Sequence, residues 1–268
     1  MKSIIITFAF LLTISTFAFS QDTLYVYKAG VVAYKSVITE VDSLSFSKIY
    51  PQTTGTVLDV DGNSYNWRTI GTQTWMTENL KTSKYRNGDP ISNVTVDADW
   101  SALLTGAWCY QNNNISNNVK YGKLYNWFAV SDVRNIAPIG WHVATADEWT
   151  TLENYVSTQL GTSLTVGKAL AATTDWTDTY GNPSLAVVGT IVNNTAINNS
   201  SNFKALPGGE RTSIPGYFAN LASTGSWWCS TQFDDTSAYH RGLQALSNSI
   251  SHQYNDKQFG FSVRCVRD

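Results

Sequence analysis

The feature that most limits how this chain can fold is a pair of neighbouring tryptophans, Trp227 and Trp228, in the segment GSWWCSTQFDD that runs from Gly225 to Asp235. In an extended strand, adjacent side chains point to opposite faces, so the two indoles cannot share one environment. One is expected to enter a core, and the other to face a second layer, solvent or a ligand. Burying one indole removes roughly 150–250 Å² from water, worth about 4–6 kcal/mol before entropy costs, against a net stability of about 5–15 kcal/mol for a whole domain. At least one of the pair is therefore structural.

The surrounding composition suits a β-rich, irregular body. Of the 268 residues, 13% are aromatic and only 14% are charged, where a typical globular chain has about 25% charged residues. The net charge is −2 and there is no basic stripe, which argues against a nucleic-acid partner. Asn, Ser and Thr carry the solubility instead. The length allows one large domain plus a small extra piece.

The first 20 residues read as a secretory signal peptide: Lys2, an apolar run from Ile4 to Phe19, and small residues Ala18 and Ser20 placed for a cut before Gln21. The run is near the minimum of roughly 17 residues for a membrane span, and its small-x-small ending favours cleavage over anchoring. No cysteine follows, so no lipid anchor is expected. The mature chain is expected to be secreted or displayed on the cell surface, with no transmembrane segment after signal cleavage. Oxidising surroundings make one disulfide plausible among Cys109, Cys229 and Cys265, with Cys109–Cys265 and Cys229–Cys265 both open. There is no CxxC, and His142, His240 and His252 are far apart in the chain, so no metal site is expected.

Residues 22–50 alternate Leu24, Val26, Val31 and Ala33 around a turn at Lys28–Gly30, then continue through Val41, Leu44 and Phe46. This predicts a small β-rich segment, a hairpin plus a third strand, that leans on the main domain or on a partner. Residues 51–54 form a linker, and the main domain spans 55–268. There, Asp61-Gly62-Asn63 predicts a turn between strands at Val57–Val60 and Tyr65–Ile70, and Gly71-Thr72 a second turn before Trp75 and Met76. Asp59-x-Asp61-x-Asn63 also resembles the start of a calcium loop, but Ile70 stands where the closing glutamate belongs, which favours the plain turn. Thr145 and Glu148 form a capping box that opens a helix with Trp149, Leu152, Val156 and Leu160 on one face and Gly161 as its stop. Shorter helices are predicted at Tyr121–Ala129 and Gly167–Ala172. The asparagine-rich runs Asn112–Asn118 and Val192–Asn202 read as loops.

A sugar-binding surface needs an aromatic platform with a few placed polar groups. Trp228, Asp234, Asp235, Tyr239, Arg241, Tyr254, Asn255 and Asp256 supply both. Each also has a purely structural reading: Asp234-Asp235 as a turn, for example. Arg211 pairs with an acid to pin a loop in the same sense, with Glu210 as a neighbour in sequence. No Ser-His-Asp order, P-loop or His-based metal motif is visible.

Seven ordered blocks then carry a resemblance: WMTENLKTSKYRNGDPI, GAWCYQNN, YGKLYNWFAVSD, APIGWHVATADEWTTLENY, FKALPGGER, GSWWCSTQ and GFSVRCVRD. Over about Gly55 to Asp268 the chain resembles the Fibrobacter succinogenes major paralogous domain, a family of secreted domains common in Fibrobacter and Bacteroidetes. The resemblance implies an α+β fold of the C-type lectin-like superfamily. That fold has short twisted antiparallel sheets, two or three helices and long irregular loops, here preceded by the hairpin segment. The superfamily also contains formylglycine-generating enzymes, but a shared fold is poor evidence for shared chemistry. The chain departs from the family pattern at Cys229, where serine is usual, at Ala144, where proline is frequent, and at Ala137, where some members have cysteine. The resemblance favours a Cys109–Cys265 disulfide with Cys229 left over. Tyr254–Lys257 (YNDK) only partly matches the lectins' Trp-Asn-Asp, so calcium is not expected and no cofactor is assigned. An oxidase would need Cys229 and Cys265 as a copper-binding pair. The expectation is a non-enzymatic recognition or adhesion module whose partner is a glycan or another surface protein. The alternatives are a surface-assembly protein docking through its N-terminal strands and, last, the oxidase.

Overall fold

The computed structural model describes residues 23–28, 31–37, 53–159, 165–177 and 190–268. The chain divides into two units, the first ending at Pro51 and the second starting at Gln52. In the first unit, β1 (Thr23–Lys28) and β2 (Val31–Val37) pair antiparallel, with Thr23 opposite Val37, Lys28 opposite Val31 and an irregularity between Val26 and Tyr27. This is the predicted hairpin. The signal segment and the third strand predicted through Val41, Leu44 and Phe46 lie outside the described residues.

The second unit is α+β. Its first part contains β3 (Thr54–Leu58), β4 (Ser64–Ile70), β5 (Gln73–Met76), β6 (Ser92–Asn93), α1 (Asp97–Ser101), β7 (Ala107–Tyr110) and α2 (Ser116–Tyr121). Next come β8 (Lys123–Tyr125), α3 (Trp127–Val130), β9 (Trp141–Val143), α4 (Ala146–Gln159) and α5 (Val166–Leu170). Last are β10 (Glu210–Arg211), β11 (Phe218–Ala219), β12 (Thr224–Gln232), β13 (Ser237–Gln244), β14 (Ile250–Asp256) and β15 (Cys265–Arg267). The sheets are small: five strands in the order β3-β4-β5-β15-β9, a β12-β13-β14 meander, β6-β7-β8, and the β10-β11 pair. All pairings are antiparallel except the two-residue contact of β6 with β7.

Local chemistry sets the turns. Asp59 Oδ1 accepts the backbone N–H groups of Asp61 and Asn63, each at 2.9 Å, and its Oδ2 accepts Asn63 Nδ2 at 2.8 Å and the Tyr65 hydroxyl at 2.5 Å. Gly62 takes the left-handed conformation (φ +81°) that closes the turn. The calcium-like triplet is thus a turn whose carboxylate is spent on internal donors. The α4 capping box forms as predicted: Thr145 Oγ1 accepts the Glu148 N–H at 3.1 Å, and Glu148 Oε2 accepts the Thr145 N–H at 2.8 Å. The predicted stop at Gly161 lies outside the described residues. The single helix predicted at Tyr121–Ala129 is instead α2, β8 and α3. Gly122 breaks it at φ +73°, packed so that a Cβ would lie 2.7 Å from the Leu80 carbonyl oxygen. Asn126 then starts α3 by accepting the Ala129 N–H at 3.1 Å. The last predicted helix starts one residue early and ends at Leu170. Of the two asparagine-rich runs, the first folds partly into α2, and the second is irregular apart from a 3-10 turn at Thr195–Ile197.

Two large apolar interiors fill this unit. One gathers Trp75, Trp149, Leu152, Phe203, Trp227 and Val266, and the other Tyr65, Met76, Tyr125, Trp228, Phe261 and Cys265. A smaller cluster holds Trp100, Ala107, Cys109 and Leu124. Sequence neighbours are divided between the two interiors: Trp75 from Met76, Ala144 from Val143, Trp227 from Trp228, Val266 from Cys265. The strands carrying them form a wall with two apolar faces, so the usual alternation of apolar and polar residues is lost there. Residues 260–264 lace the wall together. Ser262 N–H donates to Ser226 O (3.0 Å), Trp228 N–H to Ser262 O (3.1 Å), Phe261 N–H to Tyr125 O (3.0 Å) and Leu80 N–H to Val263 O (3.0 Å). Neither indole of the tryptophan pair faces solvent. Trp227 packs 6.0 Å from Trp149 and donates to Asn79 Oδ1 at 2.9 Å. Trp228 packs 4.5 Å from Phe261 and donates to the Tyr125 carbonyl at 2.8 Å.

Candidate functional site

The meander β12-β13-β14 carries the residues singled out for ligand binding, and it sorts them. Tyr239 lies opposite Tyr254 and Arg241 opposite His252, which places these four on one face. Arg241 is buried and committed: it donates to the Ala146 carbonyl at 2.9 Å and pairs with Glu153 at 3.3 Å. His252 Nε2 meets the other oxygen of the same carboxylate at 2.6 Å. Trp228 is 0% exposed, so it is corrected from ligand platform to core residue. Asn255 turns to the opposite face, its Nδ2 3.2 Å from His240 Nε2. Asp234 is a turn residue: its Oδ1 accepts the N–H groups of Thr236 (2.8 Å) and Ser237 (2.7 Å), which hold its carboxyl below the ordinary range. The Asp235 carbonyl accepts Lys257 Nζ at 2.8 Å, and Asp256 Oδ2 accepts the Ser213 hydroxyl at 3.1 Å.

One residue of the site was not anticipated. Phe233 lies parallel to Tyr254 at 3.8 Å (9° between planes) and edge-on to Tyr239 at 5.3 Å. Phe233 and Tyr254 remain 42% and 53% exposed. Phe233 covers one face of the tyrosine ring, so the exposure comes from the other face and the edges. The result is an aromatic shelf of three rings at the β12–β13 tip, with Asp235 exposed at the tip and Glu153 and His252 on the shelf side. The register between β12 and β13 shifts after Trp228, so strict alternation from the tryptophans misplaces Phe233. The available signal was a lone phenylalanine in a polar hairpin tip, TQFDDTS.

The cysteines do not form the expected disulfide. All three are free and buried. Cys109 belongs to the Trp100 cluster, Cys229 to the Trp149 interior and Cys265 to the Phe261 interior, so neither expected pairing brings its sulfurs into one packing environment. Burial pushes the Cys109 and Cys229 thiols up to about 12 and raises Cys265 as well, away from the thiolate that redox or metal chemistry requires. Arg211 pins a loop as expected, but to Asp97 (2.8 Å) rather than to Glu210, with its guanidinium between the rings of Trp100 (4.6 Å) and Phe218 (4.8 Å). Among the described residues, no three His, Cys, Asp or Glu side chains gather as a metal site, and no helix is long and apolar enough to cross a membrane.

The sequence blocks converge on Asn79. Its Oδ1 accepts Trp227 Nε1 (2.9 Å) and Arg264 Nε (2.6 Å), and its Nδ2 donates to the Tyr121 carbonyl (2.8 Å) and the Ser262 hydroxyl (3.1 Å). Arg264 is fully buried with no carboxylate partner among the described residues. It donates to the carbonyls of Met76, Phe203 and Lys204, each at 2.9 Å, and burial brings its pKa down to about 9. Five of the blocks thus meet at one polar junction inside the wall. A family model described as the Fibrobacter succinogenes major domain matches residues 69–267, well over half of the chain. The chain belongs to that family. No curated protein and no solved structure matches it. In this family member the matched region starts within β4 and takes in the first interior, most of the second, the Asn79 junction and the meander. The shelf residues Phe233, Tyr239 and Tyr254 fall between the last two blocks, so the blocks that mark the family are its framework.

Proposed function

We propose that the protein is an exported, non-enzymatic recognition module that binds carbohydrate on the shelf formed by Phe233, Tyr239 and Tyr254. The observation that carries this reading is the open, stacked Phe233–Tyr254 pair. A ring face of this kind suits the C–H face of a sugar, and the exposed Asp235 and His252 supply polar groups for hydroxyls. The signal-peptide pattern of residues 1–20 supports export, and the resemblance supports a C-type lectin-like topology. The proposal needs no metal or cofactor. The separate burial of Cys229 and Cys265 gives the oxidase reading no support.

The test is a glycan array probed with the full chain, followed by titration of the best ligand against Phe233→Ala and Tyr254→Ala. Removing one stacking ring should weaken binding about tenfold, corresponding to about 1.4 kcal/mol. An array without hits, or hits that both variants retain, would overturn the proposal.

A further inference from the structure

A second opening, apart from the shelf residues, lies where β3 and β4 meet the loop after α5. It is a groove of about 380 Å³, lined by Arg68, Lys204, Asn199, Asn202, Thr56 and Trp67 among others, and among the described residues no carboxylate lines it. Among the described residues, neither Arg68 nor Lys204 takes part in an ion pair. The acid on the same stretch of chain, Glu78, is engaged by the Asn66 backbone N–H at 2.8 Å.

The groove is shaped from within. Gly55 lets the β3 backbone lie against the Trp67 indole, where any Cβ would come within 2.5 Å of the ring. Trp67 is 6% exposed, and its Nε1–H is buried with no partner among the described residues. On the other wall, Asn199, Asn202 and Lys204 all adopt left-handed backbone conformations (φ 65°, 60° and 57°). Lysine is costly in that region, and the surroundings hold it there: Asn199 Oδ1 accepts the Lys204 N–H at 2.7 Å, and the buried Arg264 grips the Lys204 carbonyl at 2.9 Å. A strained loop tied to the core holds the backbone that carries its cation and amides in a fixed place, so little backbone ordering is left for binding.

We infer that this groove binds an acidic polysaccharide, a chain of hydroxyl-rich rings carrying carboxylates. Two unpaired cations call for anions, while the amides and hydroxyls between them suit sugar hydroxyls rather than a bare ion. A neutral glycan would leave the cations unused. A nucleic acid would want exposed aromatic rings for its bases and a broader basic surface, whereas the Trp67 indole is buried and the whole chain carries −2.

The test is affinity electrophoresis of the full chain in gels containing polygalacturonate, alginate or neutral dextran, with a single-stranded DNA gel as a second polyanion. At least one polyuronate should retard the protein and dextran should not, and the retardation should fade between about 50 mM and about 300 mM salt as screening grows. Arg68→Gln and Lys204→Asn should each weaken retardation about threefold, and the double variant at least tenfold. Asparagine is chosen at 204 because it tolerates the left-handed conformation, and unchanged melting temperatures confirm folding. The shelf variant Tyr254→Ala should bind polyuronate like the parent, which separates this groove from the shelf. No retardation by either polyuronate, salt-insensitive retardation, equal or stronger retardation by DNA, or full binding by the double variant would each overturn the inference.

Discussion

The wall around Asn79 and the tip of the β12–β13 hairpin are joined by a single strand, yet they are built on opposite principles. At the Asn79 junction the polar side chains are paired and the rings covered: Asn79 makes four hydrogen bonds, and Trp227 and Trp228 are at most 1% exposed. At the tip, Phe233 and Tyr254 stack on each other and leave about half their surface open. The recognisable sequence blocks belong to the wall and skip the tip. The blocks therefore report how the fold holds together, and the shelf proposed to bind a ligand lies outside them.

The contrast can be broken by mutation, and the largest effect should come from the wall. Trp228→Ala should cost about 3–5 kcal/mol, read as a fall in the urea midpoint, because it empties a large site and removes the indole's hydrogen bond to the Tyr125 carbonyl. Asn79→Ala should cost about 2–4 kcal/mol by stripping an acceptor from the buried Arg264 and the Trp227 N–H at once. If either variant unfolds at the parental midpoint, the wall is not the framework described here. Phe233→Ala, by contrast, should shift stability by about 1 kcal/mol or less, while affecting ligand binding as described above.

A smaller effect tests the rim of the wall. His142 sits between Asp268 (2.6 Å) and Glu148 (2.7 Å), linking β9 to the end of β15 and to the α4 cap. Burial works against its charge, but hydrogen bonds to the two carboxylates outweigh burial and raise its pKa. The stability this gives is fully present below the unfolded value of about 6.5 and is lost as pH rises through the higher folded value. The partly exposed site limits the gain to about 1 kcal/mol. The melting temperature of His142→Asn relative to the parent should therefore be lowest on the acid side of the unfolded value, with the gap closing as pH rises through the higher folded value; a constant gap would refute the linkage. The smallest expected effect is none at all. Reducing agent should leave the melting temperature unchanged, and all three thiols should label only after denaturation.

Much of the wall was legible because its signals are local. The Thr145–Glu148 capping box, the Asp59–Asn63 turn and the opposed tryptophans each follow from a few consecutive residues. What escaped depends on partners far along the chain. Gly122 ends a helical pattern because Leu80 lies against it. Arg211 bypasses Glu210 for Asp97, more than a hundred residues away, because Trp100 and Phe218 frame that approach. The cysteines suggested a disulfide from compartment and resemblance, whereas packing distributes them among three clusters. Phe233 was missed because a register shift is a property of two strands, and one strand's sequence does not show it.

Arg264 and Asn79 are separated by 185 positions, and the stretch around Arg264 gives side chains to both interiors. Neither half can reach its final packing ahead of the other, since each borrows the same late strand. Assembly should then be slow, as long loops must close before any reward arrives, and disassembly should come as one event. For the exported module proposed above, that shared dependence would be a defence in itself: a protease would find no half-open intermediate to cut.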